Sequence, residues 1–258
     1  MEKVFQIQDE FKPYESDIRT FIENFGSQGK TIYKGSRNEL RTKTVNDISV
    51  NIKRFQVPNW VNQFAYRWVR DSKAKRSFDF AATLLKIGVN TPKPIAYQEN
   101  FSTLGILNSF YVSIQQDHDL TIRELTYQPD IPGREKILRD FTRFTHHFQD
   151  QGIFFIDHSP GNTLIKRMSD NEFEFFLVDL NRMKFKTLNY KERVKNFARL
   201  SPDRDIYVII ADEYAKMINK DSHVVFDDMW AEVKLAREKM KKKQNLKKKM
   251  RLKKSNYQ

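Results

Sequence analysis

No cysteine occurs among the 258 residues. Disulfides and thiolate metal sites are thereby excluded, and the chain suits a reducing compartment. There is also no apolar run approaching the roughly 20 residues that a membrane-spanning helix needs. The opening M-E-K-V-F-Q-I-Q-D-E is polar and lacks the apolar stretch of a secretory signal. These absences predict an intracellular, cytoplasmic protein, soluble or peripheral to a membrane. Internal repeats are absent too. What the chain does have is aromatic mass: 21 Phe and 10 Tyr within 39% hydrophobic residues. Rings should fill much of its core.

Charge is unevenly spread. The formal net charge is +13, yet residues 234–254 hold twelve Lys/Arg against one acid, Glu238, and so carry +11 of it. Basicity is therefore a tail property. It is no argument for nucleic-acid binding by the rest of the chain, which is nearly neutral.

Hydrophobic periodicity predicts a short helix over 13–25, opened by Pro13 and carrying Phe21, Ile22 and Phe25. Residues 30–55 alternate and are rich in Thr, Val and Ile, with turns at Gly35 and at Asn46-Asp47. They read as antiparallel strands. A helix over 73–88 has Phe78, Ala81, Ala82 and Leu85 at helical spacing, with Gly88 to cap it. Strands near 95–99 and 110–116 complete a sheet. From about 118 the texture turns helical: a helix over 134–148, helical character over 190–220, and a helix-prone basic tail. A hairpin with its turn near Ser169–Asn171 interrupts this helical part. The fold class is α+β.

Two apolar runs end on carboxylates, I-F-F-I-D at Asp157 and F-F-L-V-D at Asp179. Two strands of one small sheet would bring both acids to one edge. Asn162 lies just past the turn after Asp157. Two carboxylates and an amide oxygen are hard ligands suited to Mg²⁺. Lys53 ends a strand in the N-terminal part. Each residue has a plainer reading: Asp157 as a turn aspartate in D-H-S-P-G, Lys53 as a solvated strand end, Gly35 as a hairpin glycine. The series outweighs the members taken singly. His146-His147 has no third ligand at metal spacing and reads as a helix-end pair. Arg182 reads as a salt-bridge partner for the loop after Asp179 or as a solvated side chain.

The order of a strand lysine, a helix, D-x-x-x-x-N and then D-x-x resembles the protein-kinase signature set. The segments G-S-R-N at 35–38, S-K-A-K-R-S-F at 72–78, G-V-N-T-P-K-P-I-A-Y at 88–97, D-H-S-P-G-N at 157–162 and V-D-L-N-R at 178–182 are more particular. They resemble the bacterial lipopolysaccharide-core kinase family, which acts on Kdo and core heptose, over roughly residues 30–200. The resemblance implies a two-lobed protein-kinase-like fold: an N-lobe over 1–117, a C-lobe over 118–233, and a basic tail over 234–258. It implies ATP and Mg²⁺ (or Mn²⁺) as cofactors and a lipid-linked core sugar as acceptor. By the same resemblance Lys53 binds the α/β-phosphates, and Asp79 is its acidic partner on the following helix. Asp157 orients or deprotonates the acceptor hydroxyl, and Asn162 and Asp179 hold the metal. Ser113, Ile114 and Gln115, in the strand leading to Gln116, form the hinge against adenine. Gly35 and Ser36, in the turn to Asn38, cover the phosphates. Phosphoryl transfer asks for such groups because it depends on positioning and charge stabilisation.

Departures from the kinase pattern bear on the acceptor. The glycine-rich loop is reduced to Gly35. Asp79 stands where Glu is usual, and Phe155-Ile156 replace His-Arg. His158 stands where Leu is common, and no A-P-E follows Asp179. The short segment between Asp179 and the helix beginning near Tyr190 leaves little room to dock a peptide. A small or glycan acceptor is favoured. Two rivals stand: the same fold acting on another small molecule or a protein, and a pseudokinase or binding module. The tail is either solvated or drawn to an anionic inner leaflet, at about 1 kcal/mol per basic residue near the surface. Nucleic-acid binding ranks third, because Tyr257 is the single nearby aromatic on which a base could stack.

Overall fold

Strand alternation builds the first part of the chain. The computed structural model describes residues 2–56, 66, 68 and 70–255, with side chains as far as 246; Tyr257 lies outside them. The chain divides into two units, Met1–Asp117 with Phe176–Asn181, and His118–Phe175 with Arg182–Gln258.

In the first unit, strands β1 (Glu2–Ile7), β2 (Lys30–Lys34), β3 (Asn38–Val45), β4 (Ile48–Phe55), β5 (Pro94–Phe101) and β6 (Ile106–Ile114) form a sheet in the order β1-β5-β6-β4-β3-β2. Asn46 takes φ 51° in the two-residue turn between β3 and β4, the left-handed value such hairpins favour. The strand β1 carries no strong alternation of buried and exposed residues, so its sequence does not mark it as a strand. On the central strand β4, Val50 and Ile52 are buried against Ile18, Phe21 and Ile22 of helix α1 (Glu15–Glu23). Phe55 points to the opposite face, where it packs with Ala74 and Phe78 of helix α2 (Lys73–Lys86) and with Tyr97. By the two-residue strand period, Lys53 shares that face with Phe55. Ser72 caps α2 by accepting the Lys75 N–H at 3.1 Å. Gly88, at φ 75°, ends the turn that follows the helix, a left-handed cap that favours glycine.

The second unit is mostly helical. It contains β7 (Leu120–Thr121), α3 (Ile122–Tyr127), α4 (Arg134–Asp150), β8 (Ile153–Phe155), β9 (Thr163–Ser169), the start of β10 (Glu172–Leu177), β11 (Met183–Phe185), α5 (Tyr190–Asn196), α6 (Arg204–Ile218) and α7 (Ser222–Ser255). Its core joins Ile137, Leu138 and Phe141 of α4, Tyr207, Ile210 and Tyr214 of α6, and Val225, Met229 and Val233 of α7. The β9–β10 hairpin turns at Asp170-Asn171, within the segment expected. One expectation fails: β8 pairs with β11, while β10 pairs with β9. The apolar runs before Asp157 and Asp179 thus enter different sheets. Apolar composition alone cannot specify a strand's partner. Residues 234–255 of the basic tail continue helix α7.

Candidate active site

Lys53 sits on β4 opposite Leu40 of β3 and Tyr111 of β6. Its Nζ donates to Asp179 Oδ1 at 2.6 Å, with the two side chains 13% and 30% exposed. The same oxygen accepts from Asn181 Nδ2 at 2.7 Å. The Lys53 ammonium lies 5.4 Å from the centroid of the Phe55 ring, a favourable cation–π position. Asp179 adopts φ 60°. That region is strained for a residue with a side chain, though Asp tolerates it better than most. Such strain survives where the surroundings hold it, which is common at functional positions.

Asp79 does not reach Lys53. Its carboxylate accepts from Lys75 Nζ at 2.6 Å, one helical turn away. An i,i+4 lysine on the same helix face is a nearer and less constrained partner than a residue on another element. The carboxylate that meets Lys53 is Asp179. The hinge expectation also needs correction. The N–H groups of Ile114 and Gln115 donate to the carbonyls of Lys93 and Ser49 at 2.9 and 2.8 Å. Both donors are spent on neighbouring backbone, so they are not offered to a base. Ser113 is buried in register with Asn51. Gly35 and Ser36 lie in the β2–β3 turn, closed by Gly35 N–H donating to Asn38 O at 3.0 Å. A Cβ on Gly35 would come within 2.3 Å of the Tyr33 hydroxyl. Tyr33 is exposed and its ring can turn aside, so this contact alone does not demand glycine.

In the second unit, Asp157 is held from three directions. Oδ1 accepts from Arg199 Nη1, and Oδ2 accepts from Arg182 Nη1 at 3.3 Å. Its backbone carbonyl accepts from Asn162 Nδ2 at 2.8 Å. The Ser159–Asn162 turn, in which Asn162 N–H donates to Ser159 O at 2.9 Å, returns Asn162 to the aspartate. Arg182 is thus a salt-bridge partner of this loop. Arg199 was not singled out in the sequence. It lies 42 residues from Asp157, and no local pattern marks it.

His158 is buried among Phe141, Phe148, Phe155 and Phe197, with ring centroids 5.4 to 6.5 Å away. Nδ1 lies 3.2 Å from the Asn196 carbonyl, and Nε2 is buried without a partner. Burial lowers its pKa to about 4, so the ring is neutral and Nδ1 is the donor. It fills an apolar position beside the aspartate, which explains why Leu serves at the corresponding place elsewhere. Asn196 completes the support by donating to Phe155 O at 2.6 Å.

Each unit carries an oxygen of the hard kind that divalent cations take. Asn162 commits its amide nitrogen to Asp157 and keeps Oδ1 for a ligand. Asp179 engages Oδ1 twice, and its Oδ2 takes no hydrogen bond among the described residues. Among those residues no group of three or more His, Cys, Asp or Glu gathers for a metal. Mg²⁺ needs no such cage, since it is often held by one or two protein oxygens together with substrate phosphates.

A six-stranded sheet with its helices in one unit and a mostly helical second unit make the α+β plan of a protein-kinase-like fold. A solved structure described as "WaaP in complex with acyl carrier protein" shares the fold, with a TM-score of 0.61 and 17% identity over 94% of this chain and 99% of that one. No curated protein matches the sequence. The profile of the "Lipopolysaccharide kinase (Kdo/WaaP) family" matches residues 37–218, and the chain belongs to that family. It is therefore an ATP-dependent phosphotransferase of the lipopolysaccharide kinase type.

Proposed function

We propose that this protein transfers the γ-phosphoryl group of ATP to a sugar hydroxyl, on Kdo or heptose, of the lipopolysaccharide inner core. The observation that carries the reading is the Lys53–Asp179 contact, which joins a central strand to the strained D-L-N segment. Lys53 neutralises charge on the phosphates. Asp157 aligns the acceptor hydroxyl and takes its proton, while Arg182 and Arg199 keep that carboxylate oriented. Asp179 and Asn162 would hold Mg²⁺, which when bound supplies charge compensation on the phosphates. The acceptor is lipid-linked, and the basic end of α7 suits contact with an anionic inner leaflet.

The test measures phosphate transfer from ATP to Kdo–lipid A and to heptose-bearing acceptors, with Mg²⁺ or Mn²⁺ supplied. Transfer to one acceptor, lost in Asp157→Ala and Lys53→Ala, is expected. Normal transfer by both variants would overturn the site, and nucleotide binding without transfer to any sugar acceptor would favour a binding module.

A further inference from the structure

Lys73 is an odd lysine. It is the first residue of α2, a position where the helix dipole disfavours a cation, and the first turn contains no acid to offset it. It is half-buried, with Nζ 5.8 Å from the centroid of the same Phe55 ring that Lys53 approaches at 5.4 Å. Arg37, Lys53 and Arg76 repel its ammonium, and Asp179 attracts it. Asp179 is already bonded to Lys53 and Asn181 through Oδ1. Among the described residues the Lys73 side chain has no carboxylate within ion-pair distance. Arg76 has a local role, donating to Ser72 O. Arg37 sits in the Gly35–Asn38 turn with its side chain exposed to solvent.

Among the described residues, Lys53 and Lys73 thus share the Phe55 ring, Asp179 is bonded to Lys53, and Arg37 adds to the positive field on Lys73. Desolvation and mutual repulsion together hold the Lys73 pKa below the ordinary lysine value. A half-buried cation without a counter-charge is costly, and a polyanion would offset that cost. The thin turn makes the same demand from another direction. A turn with one glycine offers few backbone N–H groups at close range, so side-chain cations must supply the grip.

We propose that Lys73, assisted by Arg37, is a second phosphate-binding cation for the nucleotide triphosphate beside Lys53. This rests on the phosphotransferase reading above and adds residues to it. Lys73 is a binding residue and takes no part in proton transfer.

The test is calorimetric titration of the full chain with ATP and with adenosine, each with MgCl₂, for wild type, Lys73→Met and Lys73→Arg. Lys73→Met is expected to weaken ATP binding at least about ten-fold, the scale of one charge-assisted contact. Adenosine binding stays within about two-fold, and Lys73→Arg retains most of the ATP affinity. Without nucleotide, Lys73→Met melts at or above the wild-type temperature, because an uncompensated charge is gone. Equal loss of ATP and adenosine, or a lower melting temperature, would make Lys73 a structural residue and overturn the inference. Unchanged ATP affinity overturns it too, and a raised acceptor KM in that case would assign the cations to the acceptor. In both cases wild-type ATP binding leaves the phosphotransferase reading standing. A wild type that binds no ATP removes that reading, and this inference with it.

Discussion

A histidine in an aromatic cage responds to acid in a defined way. The folded pKa of His158 is about 4, against an ordinary value of 6.5. The unfolded chain therefore binds the proton first as pH falls. The stability due to the neutral ring is complete above about pH 6.5, is lost on going down, and levels off below about pH 4. Between pH 7.5 and pH 5 the loss is about 2 kcal/mol. Urea unfolding of wild type and His158→Leu at both pH values should show the variant's pH dependence flatter by that amount. Equal slopes would mean that the ring is not desolvated. Asp179 supports a second prediction at the same scale. Its φ of 60° suits Asn nearly as well as Asp, whereas Ala pays roughly 1 kcal/mol there. Asp179→Asn should abolish phosphate transfer and lower the melting temperature, because the 13% exposed Lys53 ammonium loses its counter-charge, and Asp179→Ala should lower it further by the backbone cost. At Asp157, Arg199→Ala should lower kcat at least about ten-fold. Its stability cost should stay under about 1 kcal/mol, since the guanidinium is 41% exposed. A melting-temperature drop as large as the activity loss would instead mark Arg199 as structural.

Elements depend on a few terminal groups. Helix α2 begins at a buried Ser72 whose hydroxyl satisfies the Lys75 N–H. Ser72→Ala should cost about 1 kcal/mol by chemical denaturation. The helix also carries Ala74 and Phe78 onto the Lys53 face of the sheet, so ATP KM should rise with it. An unchanged denaturation midpoint would show that the cap is replaced by solvent. Most elements were legible in the sequence because their signals are local. Alternation marked β3 and β4, Asn46-Asp47 marked their turn, and helical spacing marked α2 and α4. The strand β1 was not legible, because it gains its structure from pairing with β5 and not from its own pattern. The β8–β11 pairing was missed for the same reason.

At the scale of the whole molecule, the dominant asymmetry is charge. Buried contacts of α7 reach Val233, and residues 239–246 are exposed. Deleting 239–258 removes ten Lys/Arg and no acid, taking the net charge from +13 to +3. The truncated protein should keep its melting temperature and transfer to a soluble acceptor fragment. It should lose cosedimentation with anionic vesicles, while neutral vesicles bind neither form. Salt should weaken the wild-type interaction. Equal vesicle binding by both forms would exclude the tail as the contact. Among the described residues, no helix is long and apolar enough to cross a membrane.

The sequence by itself determined the family, the α+β class and the order of the chemical groups. These follow from local composition and from motifs whose residues are close along the chain. Tertiary structure decided which charges meet. Lys53 found Asp179, 126 residues away, while Asp79 was taken by Lys75 one turn off. Arg199 joined Asp157 across 42 residues. The reason is physical: hydrophobic packing places the backbones, and an ion pair forms with whichever opposite charge that packing brings within reach. Spacing in the sequence sets the distance only within a helix or a turn.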